Sequence, residues 1–249
     1  MNEKQARLQE WITDSPNIVF FGGAGVSTES GIPDFRGTNG VWSKMQPIMF
    51  QDFVASAEAR RETWRRRFAG DDTMRAAQPN RGHHAVALLV RQGKTRSVIT
   101  QNIDGLHQAS GIPEAQVIEL HGNSTYAHCL DCATRYEIGA LRAAFDEQGD
   151  VPACIACGGL VKTATISFGQ SMPEEPMRRA QEETLAADLF IVLGSSLVVY
   201  PAAGFPEIAK RRGARLVIVN RQETPLDDLA DLVIHDGIGD VMGGALGVN

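Results

Sequence analysis

"NIVFFGGAGVSTESGIPDFRG" runs from Asn17 to Gly37, and its reading decides the architecture of the chain. Ile18 to Phe21 is a short apolar run that drops straight into Gly22-Gly23-Ala24-Gly25. A buried strand enters a phosphate-binding turn in this way, because glycine lets backbone amides come close to an anion. The stretch still departs from the ordinary dinucleotide fingerprint, Gly-x-Gly-x-x-Gly. Counted from Gly23 and Gly25, the third position is Thr28. The acidic residue that holds a ribose in such folds, about 20 residues further on, is also hard to place.

Working outward, similar runs recur and each ends in small or polar residues. Ser97–Thr100 leads into Gln101-Asn102-Ile103-Asp104, Val117–Leu120 into His121-Gly122, and Thr163–Phe168 into Gly169-Gln170. Asp188–Leu193 leads into Gly194-Ser195-Ser196, and Arg215–Val219 into Asn220. These runs are apolar on both parities, as strands covered on both faces of a parallel sheet require. Helical patterns such as His83–Arg91 and Pro173–Ala187 separate several of them. The predicted class is α/β, a Rossmann-like doubly wound parallel sheet, whose ligands bind at the carboxyl ends of the strands.

Two stretches break the alternation. Thr38–Arg81 is helix-prone and rich in Arg and aromatics, and Gly122–Lys162 contains every cysteine. The expected division is a Rossmann-like domain over 1–37, 82–121 and 163–249. A small helical and zinc-binding domain over 38–81 and 122–162 is inserted in it. "CLDC" carries Cys129 and Cys132, and "CIAC" carries Cys154 and Cys157. Two Cys-x-x-Cys pairs supply four thiolates in tetrahedral geometry, which leaves no open position on the metal. One structural zinc per chain is therefore expected, with disulfides as the lesser alternative in a reducing compartment. Gly158-Gly159 lets amides approach the sulfurs, and His128 reads as a bystander.

At 249 residues the chain is long enough for one large α/β domain with an insertion, and its 43% hydrophobic, 22% charged composition is ordinary. A net charge of −6 with no basic tail argues against nonspecific nucleic-acid binding. No signal-like or membrane-length apolar stretch is present, so no membrane partner and a cytoplasmic location are expected.

Five motifs then occur in order. Gly23-Ala24-Gly25-x-Ser27-x-x-Ser30-Gly31-Ile32-Pro33-Asp34-Phe35-Arg36 is followed by Gln101-Asn102-Ile103-Asp104 and His121-Gly122. The paired Cys-x-x-Cys and Gly194-Ser195-Ser196-Leu197 complete the set. Together they resemble the sirtuins, the NAD-dependent protein lysine deacylases, from about Asn17 to Asn220. In that family the departure from the ordinary fingerprint is expected. The resemblance implies a large Rossmann-like domain, a small zinc-containing domain, and NAD consumed as a co-substrate between them.

In those roles Gly23, Ala24 and Gly25 bring amides to the pyrophosphate at a helix N-terminus, with Thr28 as a polar cap candidate. Asn220 is placed to bond the adenosine ribose, and Ser195 and Ser196, after Gly194, to serve the phosphates and the neighbouring ribose. By resemblance, Asp104 and the backbone at Ile103 hold the nicotinamide carboxamide, while Gln101 and Asn102 hold the nicotinamide ribose. Phe35, between Asp34 and Arg36, covers the reacting carbon; Arg221 and Val241 complete the implied cofactor set. The implied catalytic residues are His121 and Asn102. The resemblance implies that the acyl oxygen attacks the ribose C1′ and expels nicotinamide, that a ribose hydroxyl deprotonated by His121 attacks the resulting imidate, and that water completes transfer to O-acyl-ADP-ribose and frees the lysine amine. A histidine's ordinary pKa near 6.5 suits this base. His83, His84 and His107 stand in helix-start or helical contexts and read as structural.

Acyl-lysine peptides are expected as an added strand between Phe168-Gly169 and Leu197-Val198-Val199. Gln170 stands where the family usually has Glu, removing a negative charge beside the groove. The branch that prefers succinyl-lysine carries a Tyr-x-x-Arg pair, but "RRETWRRRFAG" has no tyrosine; Tyr126, Tyr136 and Tyr200 lie elsewhere. Thr63-x-x-Arg66 and Trp64-x-x-Arg67 keep the spacing, yet these arginines read as a solvated helix face. Uncharged acyl groups, acetyl or longer, are therefore expected. The alternatives are a conventional Rossmann dehydrogenase with a zinc ribbon, an NAD glycohydrolase or mono-ADP-ribosyltransferase on the same fold, and a non-enzymatic zinc module.

Overall fold

A computed structural model describes residues 2–37 and 40–248. The expected domain limits at Met1, Thr38 and Asn249 lie outside the described residues. Strand β1 (Ile18–Gly22) is buried along its whole length, as an apolar run without alternation demands. It pairs in parallel with β2 (Thr95–Thr100) on one side and β7 (Leu189–Leu193) on the other. β3 (Val117–Glu119) extends the β2 side, and β8 (Arg215–Val219) and β9 (Leu232–Ile234) extend the β7 side. The sheet has six strands in the order β3-β2-β1-β7-β8-β9. The chain winds outward from β1 to β3 and later returns to β7, so the direction of winding reverses between β1 and β7. Such a switch point opens a crevice at the carboxyl ends of the strands. β9 has no counterpart among the predicted runs, since three residues are too few to stand out.

Alternate residues of each strand face opposite sides. Ile18, Phe20, Ile191 and Val217 meet helices α1 (Glu3–Asp14), α5 (Arg81–Arg91) and α10 (Ile238–Leu246) through Leu8, Ile12, Val86, Leu89, Val241 and Met242. Val19, Phe21, Phe190, Val192 and Ile218 meet α8 (Glu174–Ala186) and α9 (Gly204–Arg211) through Ala180, Phe205 and Ala209. Helix α5 begins where the Asn80 side chain accepts from the amides of Gly82 and His83, satisfying two donors the helix cannot. The short α6 (Leu106–Ala109) follows β2 and brings His107 beneath the sheet. His83 and His107 pack with ring centroids 5.0 Å apart. Burial pushes them down to about 3 and about 4, so both stay neutral. His84 is exposed.

Both excursions enter one second core. Helices α2 (Phe50–Ala55), α3 (Ala57–Ala69) and α4 (Asp71–Ala76) come from the first. Strands β4 (Gly122–Cys129) and β5 (Arg135–Glu137) and helix α7 (Ile138–Gln148) come from the second. Trp64 and Phe68 of α3 pack with Ala127, Ile138, Leu141, Val161 and the buried Cys129 and Cys154. The run Thr163–Phe168 requires a correction. The strand is β6 (Val161–Thr165), and it pairs antiparallel with β4 in a three-stranded sheet, order β5-β4-β6, rather than with the parallel sheet. Burial on both faces marks any covered strand, so the pattern could not say which sheet covers it. Lys162, the second residue of β6, is 1% exposed, and its Nζ finds partners there by donating to the carbonyls of Thr163 and Thr165. No described helix is long and apolar enough to cross a membrane.

Candidate active site

At the switch point the loops after β1 and β7 nest backbone to backbone. Gly23 N donates to Leu193 O at 2.9 Å, and Gly25 N to Gly194 O at 2.8 Å. A Cβ on Gly25 would stand 2.7 Å from Gly194 Cα, and Gly194 itself takes φ +61°. Both positions therefore need glycine for the turns to close. The helix that starts here, Ala24–Ser30, is a seven-residue 3-10 helix with Gly23 at its N-cap. The Thr28 hydroxyl donates back to Gly25 O at 2.9 Å, so Thr28 caps nothing and leaves the wall of the crevice.

A cleft of about 1070 Å³ opens here, walled on one side by the carboxyl ends of the large sheet and on the other by α3. It brings together Gly23, Ala24, Gly25, Asp34, Phe35, Arg36, Gln101, Asn102, Ile103 and His121. Phe168, Gly169, Gly194, Ser195, Ser196, Val199 and Asn220 line it as well. Thr28, Asp104, Leu197, Val198, Arg221 and Val241 are not on this wall. Val241 is buried in the core, Leu197 is buried with φ +54°, and Arg221 lies 3.7 Å from Glu29 at the surface.

Asp104 sits one layer behind the cleft. Its Oδ2 accepts from Ser27 Oγ at 2.6 Å and its Oδ1 from Leu106 N at 2.9 Å. Asn102 Nδ2 reaches the same Ser27 Oγ at 3.1 Å, so one buried hydroxyl ties the β1 turn to two residues of the β2 loop. Ser27 is missing from the predicted site, although its place inside the first motif was the available signal. Gln101 Nε2 donates to Ser195 Oγ at 2.8 Å, joining the β2 and β7 loops across the switch point.

His121 Nδ1 lies 3.0 Å from Gln101 O. A carbonyl can only accept, so Nδ1 carries the hydrogen and donates, which leaves Nε2 as the free lone pair on the ring. Burial lowers the His121 pKa below its ordinary value and Arg36 adds to this, against the opposing Gln101 bond. The ring is thus neutral, and able to accept a proton, to lower pH than a free histidine. The acid limb of a kcat/KM profile is expected below pH 6.5, where His121 begins to protonate. A limb centred above 6.5 contradicts this.

The aromatic wall was only half legible. Phe35 stacks on Trp42 at 5.2 Å, and Trp42 meets Phe168 edge-on at 6.2 Å. Trp42, Met45, Ile48 and Phe53 line the cleft from the first excursion, and no motif pointed to them. Gln170 also lines it, but its Oε1 accepts from Ser167 N at 3.1 Å and so pins its own loop. The expectation of a solvated arginine face is corrected: the Arg66 and Arg67 side chains are 30% and 14% exposed and both line the cleft. Arg66 Nε binds Glu62 at 2.6 Å and its Nη1 binds Gln46 O at 2.7 Å. Three arginine hydrogen bonds, two from Arg65 and one from Arg66, hold the Glu62 carboxyl down at about 2.

Away from the cleft, the sulfurs of Cys129, Cys132, Cys154 and Cys157 all lie within 4.8 Å of one another. Cys129–Cys157 and Cys132–Cys154 are each separated by 3.5 Å. Zinc–sulfur bonds of about 2.3 Å give tetrahedral edges of roughly 3.8 Å, so the set fits one zinc ion with little adjustment. Asp131 N, the Thr134 hydroxyl and the Tyr136 phenol point at the sulfurs, as partners of coordinated thiolates do. His128 is not part of the cluster.

The Sir2 family model matches residues 23–201. NAD-dependent protein deacetylase 1 of Bradyrhizobium diazoefficiens is 58% identical over 241 residues, which is 97% of this chain and 94% of the relative. The NAD-dependent protein deacetylase of Rhodopseudomonas palustris is 55% identical, over 97% and 95%. A solved Sir2 structure with a deacetylated p53 peptide and 3′-O-acetyl ADP ribose matches with TM-score 0.90 and 38% identity, over 99% of this chain and 100% of that one. Sir2Tm bound to a propionylated peptide matches with TM-score 0.87 and 38% identity, over 98% of each.

Proposed function

The chain belongs to the Sir2 family, and from that premise we propose that its cleft removes acyl groups from protein lysines, using NAD as co-substrate and releasing nicotinamide and O-acyl-ADP-ribose. The observation that carries this reading is the His121 ring, locked by Gln101 O with Nε2 free, on the wall of a cleft that begins at two nested glycine turns. Bound NAD supplies a ribose carbon open to attack, with nicotinamide as the leaving group.

The protein's own parts take the following roles. Gly23 N, Gly25 N and Gly194 N are committed to Leu193 O, Gly194 O and Val219 O, so the other amides of these turns, at Ala24, Ser195 and Ser196, bind the pyrophosphate, and Asn220 binds the adenosine ribose. Gln101 and Asn102 orient the nicotinamide ribose, with Asn102 steadied by Ser27 and Gln101 by Ser195. His121 Nε2 takes a proton from a ribose hydroxyl. Phe35, backed by Trp42, excludes water from the reacting centre. The peptide lies as an added strand between Phe168-Gly169 and Leu197–Val199. A cytoplasmic site of action keeps the four zinc-binding thiols reduced.

Incubation with NAD and an acetyl-lysine peptide, read by mass spectrometry, tests this. Equal amounts of deacetylated peptide, nicotinamide and O-acetyl-ADP-ribose are expected, without NADH. Free ADP-ribose with an untouched peptide, or ADP-ribose attached to protein, overturns the reading in favour of a glycohydrolase or a transferase.

Uncharged acyl groups are the preferred cargo. Arginine recognises a carboxylate through two parallel bonds from its planar fork. Arg66 has Nε committed to Glu62 and Nη1 to Gln46, and Thr63 is too short to replace a phenol. The kcat/KM for acetyl-lysine should exceed that for succinyl-lysine on the same peptide by about tenfold or more, since that second bond is lost. A tenfold preference for succinyl means Arg66 leaves Glu62 to receive the acyl carboxylate.

A further inference from the structure

The pairing of β4 with β6 breaks between Gly122 and Ala127, and what fills the gap is a link to the β2 loop. Ser124 lies in this interval and donates twice to one acceptor. Its amide and its hydroxyl both reach Ile103 O, each at 2.8 Å. Its own carbonyl accepts from Arg67 Nη2 at 3.0 Å. Arg67 Nη1 is held in turn by Asp71 Oδ1 at 2.8 Å, and the other Asp71 oxygen by Arg142 at 3.3 Å. Ser124 is 3% exposed and Asp71 2%, so the series is shielded from water along most of its length. Burial alone would raise the Asp71 carboxyl, but Arg67, Arg142 and Arg75 hold it below its ordinary value. It stays charged, and Arg67 stays anchored.

The peptide group is planar, so fixing Ile103 O also fixes the Asp104 N–H in the same plane. The Asp104 carboxylate is already clamped by Ser27 and Leu106 N. Both sides of this short segment are therefore immobilised before any ligand arrives, one from the large sheet and the other from the small unit. Preorganisation of this kind raises affinity by removing an ordering cost from binding.

We propose that Ser124 and Arg67 are positioning residues that hold Ile103, on the cleft wall, and the Asp104 amide behind it for the nicotinamide end of NAD. The proposal rests on the sirtuin reading, and nothing in the sequence motifs assigns either residue. Its signature is selectivity within a single ligand. ADP-ribose shares every part of NAD except nicotinamide, so a local role separates the two, whereas general damage to the cleft does not.

Calorimetric titration of the zinc-loaded protein with NAD and with ADP-ribose is the test. Ser124→Ala, which removes only the hydroxyl donor, should weaken NAD binding by about 3- to 10-fold, the range of one net hydrogen bond. ADP-ribose affinity and the peptide KM should stay within about twofold, and inhibition by nicotinamide should weaken in parallel with NAD. Ser124→Thr keeps the hydroxyl and should restore NAD affinity. Arg67→Met should act in the same direction, with zinc content and Tm recorded for each variant. Equal weakening of both ligands, or unchanged NAD affinity in folded Ser124→Ala, overturns the proposal while leaving the sirtuin reading intact. Wild-type protein that binds neither ligand overturns both.

Discussion

His121→Ala is expected to lower deacylation by about 10²- to 10⁴-fold, the usual cost of losing a general base, with zinc content and Tm unchanged. The size follows from the absence of a substitute. His83 and His107 are buried as neutral rings off the cleft wall, and His84 is exposed on α5. Among the described residues, the only hydrogen bond the His121 side chain makes is to Gln101 O, just past the end of β2. Gln101 keeps its own backbone bond to Gly22 O and its side-chain bond to Ser195, so its loop should survive the loss. Initial rates on a single acetylated peptide, with circular dichroism of the variant alongside, make the measurement. A folded His121→Ala protein that keeps more than about a tenth of wild-type rate sinks the assignment.

Removing zinc should abolish activity altogether. Cys129 and Cys154 are 1% and 3% exposed and belong to the same core as Trp64, Phe68, Ile138 and Leu141. Without metal the four sulfurs, two of them buried in that core and two exposed, lose the ion that would tie them together. The binding free energy of a structural zinc site, about 10–16 kcal/mol in zinc-finger peptides, is comparable to the whole stability of a domain, about 5–15 kcal/mol. The small unit should therefore unfold on chelation, and α3 would go with it, taking Glu62, Arg66 and Arg67 out of the cleft wall. The parallel sheet should persist, because its two core faces draw nothing from the cysteines. Metal analysis of protein purified without added zinc should return one zinc per chain. A metal-free preparation with full activity refutes this.

The large sheet was legible because β1, β7 and β8 are buried on both faces and must be apolar on both parities. The position of the cleft was legible for a related reason: small and polar residues gather where those strands end. The cysteine pairs needed only spacing. What escaped depends on which distant element covers a residue. Thr163 and Ala164 read the same whether a parallel sheet or β4 lies beside them. Arg67 reads as solvated until Asp71 and Ser124 are seen to enclose it, and Trp42 gains its place only when Phe35 and Phe168 fold against it. The place of Thr28 turned on where the helix begins: with Gly23 at the N-cap, Thr28 stands inside the turn and its hydroxyl donates to Gly25 O, which residue type does not report.

The strand order has a consequence for the chain during its own synthesis. β1 is flanked by β2 and β7, and β7 begins at Leu189, roughly 170 residues after β1 is complete. At about 5–20 residues per second, translation takes on the order of ten to thirty seconds to deliver that partner. Through this interval one side of Val19-Phe20-Phe21 offers unpaired N–H and C=O groups next to bare aromatic surface, the kind of edge that recruits other chains. β2 can close the opposite side much sooner, so any part of the sheet formed before β7 is limited to β3-β2-β1, with the open side of β1 outward. That edge is covered only once Leu189–Leu193 is made and β7 pairs with β1.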